Sequence, residues 1–250
     1  MAINALIILI IVFLLTSMVG VVTGSNSLIS VPVMFQFGIE PRVAIATNMF
    51  GLVFMSIGGT IPFLRKDTIK YGKITPFIIL TTISSAIGAL LVGILSNQGI
   101  KLIVSIAMIT VAIFSLLKRN TGVGLEHEPV KHAVPITYVL VFLLGIYGGL
   151  FSGGYTTILT AVCVGIYGMQ YTEAIASTKL INVFSSLIAT LLFMWQGLVD
   201  YKLGLILGAT MFVGAYAGAH FVTKLNDVWL RRIFLSTVVL LALKTLYDFI

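Results

Sequence analysis

The sequence predicts an all-α integral membrane protein, and three observations carry that expectation: long apolar runs, a scarcity of charge, and a constant offset that relates its two halves. Of 250 residues, 59% are hydrophobic and 9% charged, with a mean hydropathy of +1.13. A soluble domain carries about 25% charged residues. Residues 2–38 and 74–100 contain no charge at all, and about 20 apolar residues suffice to cross a hydrocarbon core of about 30 Å. The net charge of +7 does not point to nucleic acid, because basic residues such as Arg65, Lys66, Lys70 and Lys73 sit in the gaps between apolar runs, where topology accounts for them.

The segments follow in order. In the first half the apolar runs cover roughly 3–22, 27–38, 42–64, 72–96 and 99–117. The first has no basic residue before it and no small-x-small cleavage pattern after a short core, so it is expected to be a retained span and not a signal peptide. Residues 118–132, reading KRNTGVGLEHEPVKH, gather glycine, proline and charge and form the one linker-like stretch. In the second half the runs cover roughly 134–151, 155–168, 172–195, 201–223 and 228–247. The expected organisation is therefore a first transmembrane repeat at 1–117, a polar linker at 118–132 and a second repeat at 133–250. The second segment of each half is too short to span at about 1.5 Å per residue, so it is either a tilted short helix or a re-entrant half-helix.

An offset of 130 aligns the halves without a gap. It places Val43-Ala44-Ile45-Ala46-Thr47-Asn48 on Glu173-Ala174-Ile175-Ala176-Ser177-Thr178, Gly24 on Gly154, Phe37 on Tyr167, Tyr71 on Tyr201, and Gly88-Ala89 on Gly218-Ala219. One offset held over nearly 100 positions marks a duplication. The basic residues then swap loops between copies: Arg65, Lys66, Lys70 and Lys73 precede the fourth segment, whereas Lys224, Arg231 and Arg232 follow the ninth. With positive residues held cytoplasmic, that swap is the mark of an inverted repeat. The expected fold is two homologous five-segment repeats, inverted, with 8–10 transmembrane helices that include broken or re-entrant short segments. Five plus five crossings with both termini outside is favoured; eight spans, two re-entrant segments and both termini inside is the rival.

Two polar interruptions lie at equivalent places, Thr23–Ser27 (TGSNS) and Phe151–Thr157 (FSGGYTT). Glycine and small hydroxyl residues allow a helix to break inside the membrane, and the half-helix that begins there turns free N–H groups and a positive dipole end to the gap. Gly24, Ser25, Asn26, Ser27, Gly153, Gly154, Tyr155 and Thr156 are therefore candidate anion-binding residues, against the alternative of ordinary turns between helices. Thr47, Asn48, Ser177, Thr178 and Asn182 add hydroxyls and amides that could coordinate an oxyanion or, equally, pack helices together. Lys179 lies about seven residues into an apolar span, where a charge needs a partner or a cavity. A carried anion would be that partner; the alternatives are snorkelling to the interface or pairing with Glu173.

Tyr71, Lys73, Tyr201 and Lys202 are expected to be interfacial anchors. The single cysteine, Cys163, excludes an internal disulfide and a multi-cysteine metal site, and His220 is remote in sequence from His127 and His132, so no metal and no cofactor are expected. Transport by alternating access between the repeats is the expected function. A passive anion channel is the first alternative, and an intramembrane protease using Ser152 and His220 is the second, with no readable third residue.

The glycine-bearing break at Gly24, Pro32 after it, the A-x-A-T-N motif ending at Asn48, the A-x-A-S-T-K motif ending at Lys179 and the closing stretch from Val213 to Phe249 together resemble the TauE/SafE family of sulfite exporters, over essentially the whole chain. The resemblance implies a multi-pass permease of the cytoplasmic membrane for sulfite, organosulfonates or related small sulfur anions, with no enzymatic activity. Two departures stand out: the first break reads Gly24-Ser25-Asn26-Ser27 where the family has a denser glycine run, and Pro32 has Val162 as its counterpart.

Overall fold

The computed structural model describes residues 3–24, 26–64, 69–117 and 133–221. Ser25, Arg65 and Lys66, the polar stretch 118–132 with His127 and His132, and the last apolar run with Lys224, Arg231 and Arg232 lie outside them.

Among the described residues the chain forms nine helices: α1 (Ile3–Thr23), α2 (Ser27–Gln36), α3 (Pro41–Leu64), α4 (Tyr71–Ile94), α5 (Asn97–Leu117), α6 (Ala133–Leu150), α7 (Tyr155–Gly165), α8 (Tyr171–Trp195) and α9 (Tyr201–Phe221). Each begins within two residues of its expected start, because polar and glycine-bearing breaks punctuate the apolar runs. Five are long and apolar enough to cross a membrane: α1, α3, α4, α8 and α9. α2 and α7, at 10 and 11 residues, reach only about 15 Å each.

α3 and α8 pack on each other at the centre, α9 lies on α3, α4 on α8, and the outer helices α1 and α6 lie on α9 and α4 respectively. Small residues permit these contacts, as expected where lipid removes the hydrophobic drive between helices. On α6, Gly145 faces Thr81 and Ser84 of α4, and Gly149 faces Ser85. On α9, Gly214 faces Leu14 and Ser17 of α1, and Gly218 faces Met18. Partner numbers rise together in both pairs, so α6 runs parallel to α4 and α1 parallel to α9.

Outward faces carry Ile11, Leu15, Ile79, Ile83, Leu143 and Leu205, while Ser17, Ser30, Thr47, Asn48, Ser85 and Thr190 are buried. The bundle thus turns apolar surface to the lipid and polar side chains to itself. Two groups of contacts mark its ends. At one end Asn97 Nδ2 donates to Glu40 Oε1 at 2.9 Å, and the Asp200 N–H donates to Thr47 Oγ1 at 3.1 Å. At the other, Lys70 pairs with Glu173 at 3.6 Å, and the Phe77 ring meets Tyr138 and Tyr167 at 5.3 and 5.0 Å.

Candidate functional site

The two breaks meet in the middle of the bundle. Gly24 ends α1 in a left-handed conformation (φ +74°), and a Cβ there would come within 2.8 Å of the Thr157 backbone nitrogen. Only glycine fits both demands. The Thr156 hydroxyl donates to the Gly24 carbonyl at 2.9 Å, and the Thr157 hydroxyl donates to the Thr23 carbonyl. The first turn of α7 therefore caps the last carbonyls of α1. In the reverse sense, Ser27 at the start of α2 meets Ser152 at the end of α6, their hydroxyl oxygens 2.8 Å apart.

Between the breaks lies a cavity of about 20 Å³, room for roughly one water molecule. Gly20 and Val21 of α1 line it with Gly24, Asn26 and Ser27 of the first break. α3 contributes Leu52, Met55 and Ser56, the second break Ser152 and Thr156, and α8 Lys179 and Asn182. Leu52 and Asn182 sit near the midpoints of α3 and α8, so the cavity is central in the bundle.

The residues that precede the two short helices, Asn26 before α2 and Gly154 before α7, make no side-chain cap hydrogen bond. Both half-helices thus bring the positive end of a dipole to the break. Lys179 adds a full charge. It is 6% exposed, lines the cavity, and has no hydrogen bond or ion pair among the described residues. Glu173, its expected alternative partner, pairs instead with Lys70. Among the described residues no carboxylate lines the cavity: Glu40 is held by Asn97, and Asp200 accepts from the Leu203 N–H. Burial without a counter-ion is costly for an ammonium.

A chain of polar side chains runs behind the wall. Asn26 Nδ2 donates to Ser30 Oγ at 3.4 Å, Ser30 Oγ donates to Asn48 Oδ1 at 2.7 Å, and Asn48 Nδ2 donates to Ser27 Oγ at 2.8 Å. Asn26 Oδ1 is buried without a partner. Across the cavity, Asn182 Nδ2 donates to Ser56 Oγ at 2.6 Å and ties α8 to α3.

Of the expected site residues, Gly24, Asn26, Ser27, Thr156, Lys179 and Asn182 line the cavity, and Asn48 stands directly behind Ser27. The others are placed elsewhere. Thr47 holds the Asp200 amide, Thr178 meets Thr160 at 3.0 Å, and Ser177 is buried with its hydroxyl unpartnered. Gly153 accepts from the Tyr147 hydroxyl, Gly154 is the left-handed residue before α7 (φ +77°), and Tyr155 is fully buried with its ring against Gly148. Ser25 lies outside the described residues. Sequence reasoning missed Ser56 and Ser30, and weighed Ser152 only as a nucleophile. Ser30 could have been found from its position one turn after Ser27. The structure gives Ser152 and His220 separate partners, Ser27 for the one and the Tyr216 carbonyl for the other.

Comparison with known proteins points to a family of membrane transporters. The family model described as Sulfite exporter TauE/SafE matches residues 9–245. A protein named probable membrane transporter protein ORF9, from a Sinorhizobium species, is 28% identical over 227 residues, 91% of this chain and 87% of its own length. A probable membrane transporter protein of Haemophilus influenzae is 25% identical over 98% of this chain and 96% of its own length. The probable membrane transporter protein YunE of Bacillus subtilis is 22% identical over 84% of this chain and 82% of its own length. No solved structure matches. With five helices able to cross a bilayer among the described residues, this is a multi-pass protein of the cell membrane, and the chain belongs to the TauE/SafE sulfite exporter family.

Proposed function

We propose that the protein carries a small sulfur-containing anion, such as sulfite or an organosulfonate, across the cell membrane by alternating access between two inverted repeats, binding it in the cavity where the two breaks meet. The observation that carries this reading is Lys179: a buried ammonium with no counter-ion among the described residues, facing a cavity that lies where two short helices begin. A bound anion supplies the missing partner. The cavity of about 20 Å³ is too small for a sulfur oxyanion, so this conformation is closed around its site, and carriage requires the repeats to part on one side at a time.

The repeat reading has support in the backbone as well as the sequence. Left-handed glycines recur at Gly24 and Gly154, and at Gly38 and Gly168, both pairs at an offset of 130. The contact of Ser30 with Asn48 has its counterpart in that of Thr160 with Thr178, at the same offset. The packing of α1 on α9 mirrors that of α6 on α4. Inversion is supported by the helix ends. α1 runs parallel to α9, which starts at the end marked by Thr47 and Asp200, while α6 runs parallel to α4, which starts at the end marked by Lys70 and Glu173. In this reading α2 and α7 return to the face from which α1 and α6 entered. Three crossings and a broken hairpin then replace five crossings per repeat, which keeps the count odd and the copies inverted.

The test is flux into proteoliposomes with sulfite, thiosulfate, sulfate and a simple sulfonate. The reading predicts saturable uptake of at least one, accelerated by the same anion trapped inside. Flux that neither saturates nor shows counterflow identifies a passive channel, and no flux of any of the four withdraws the sulfur-anion assignment.

A further inference from the structure

We infer that the cavity selects a monovalent oxyanion that itself carries one hydrogen-bond donor, the hydrogen sulfite form where sulfite is the substrate, with Asn26 Oδ1 accepting that hydrogen. This rests on the anion-carrying reading of the same cavity, and it begins with charge. Among the described residues Lys179 is the one ionisable side chain lining the cavity, and no carboxylate lines it. In a low-dielectric site one buried ammonium neutralises one negative charge, and a dianion would leave an uncompensated charge in the membrane interior.

The donor follows from the polar chain behind the wall. The single Ser30 hydroxyl hydrogen is taken by Asn48 Oδ1 at 2.7 Å or by the Asn26 backbone carbonyl at 3.2 Å, so toward the Asn26 side chain Ser30 Oγ accepts. That fixes the Asn26 amide with its nitrogen toward Ser30 and leaves Oδ1, buried and unpartnered, as an acceptor in a side chain that lines the cavity. A fully ionised oxyanion has only lone pairs to offer this atom, whereas a protonated one supplies its O–H. The other end of the chain has the opposite polarity. Asn48 Nδ2 donates to Ser27 Oγ, so of the two hydroxyl hydrogens on Ser27 and Ser152 one bridges the pair and the second remains available to an anionic oxygen. The site therefore presents one charge, at least one hydroxyl donor and one orphaned acceptor. Val21, Leu52 and Met55 form its apolar wall.

Other titratable groups on elements packed against α8 do not line the cavity: Glu173 is held by Lys70, Tyr147 donates to the Gly153 carbonyl, and Tyr155, Cys163, Tyr138 and Arg42 lie elsewhere. Any pH effect through Lys179 itself acts on every anion alike, which sets the experiment. Proteoliposome flux of sulfite is measured against that of methanesulfonate, a permanent monoanion without a donor, from mildly acidic to mildly alkaline pH. Sulfate serves as the dianion. The expected result is a sulfite-to-methanesulfonate ratio that falls with the hydrogen sulfite fraction, about tenfold per pH unit once the second ionisation is passed, with sulfate transported at least tenfold more slowly than either. In Asn26→Leu the same ratio at acidic pH is expected to drop about tenfold, the loss of one hydrogen bond left without its acceptor. A ratio independent of pH, or sulfate carried as fast as sulfite, overturns the inference while leaving anion transport in place. Absence of flux for all three anions withdraws both. If Asn26→Leu does not fold, the pH dependence of the ratio in the wild type decides alone.

Discussion

Lys179 and Gly24 show how single residues specify the site. The lysine was legible because a lone charge inside an apolar span has few tenable explanations, and the structure removes one of them by pairing Glu173 with Lys70. Replacing it is expected to weaken anion binding roughly tenfold to a hundredfold, the range for losing one charged hydrogen-bond partner. Lys179→Arg is expected to retain the charge and recover part of the affinity. Gly24→Ala tests the break itself. A side chain at φ +74° costs about 1–2 kcal/mol before its collision with the start of α7 is counted, so thermal unfolding in detergent should shift downward by several degrees. Ser56 and Ser30 were not legible, because serine is equally at home in ordinary contacts between membrane helices, and only the fold brings them to Asn182 and Asn48.

Helices were the most legible layer. In a bilayer the hydropathy of a run and the glycine or polar residues that interrupt it fix where a helix starts, so α3, α4, α8 and α9 begin within one residue of expectation. The course of a short helix is another matter: α2 and α7 have the same composition whether they continue across the bilayer or turn back, and their partners decide. The hydroxyls of α7 that cap α1 make the two breaks one unit. Thr156→Val, which keeps the shape but removes the donor to the Gly24 carbonyl, should cost about 1 kcal/mol, measurable as a lowered midpoint of denaturation. Gly149 of α6 lies on the Ser85 backbone of α4. Gly149→Leu should separate that pair and destabilise the protein by about 1–3 kcal/mol, the usual cost of overpacking.

For the molecule as a whole, the proposed inversion makes a prediction about sides. Lys70 stands at the end shared with Glu173, and Lys202 follows Asp200 at the end shared with Thr47. Both side chains are exposed, and Cys163, the one native cysteine, is buried. In a Cys163→Ser background, Lys70→Cys and Lys202→Cys should react with a membrane-impermeant maleimide from opposite faces, with Lys70→Cys cytoplasmic in keeping with the basic residues around it. Labelling from one face would contradict the inversion. The central claim is narrower than the topology: a sulfur anion binds at Lys179, between the two breaks. Isothermal titration of sulfite into purified wild-type and Lys179→Ala protein tests it most directly. The account predicts saturable binding in the wild type that weakens at least tenfold in a variant that still folds, and equal binding in the two would contradict it.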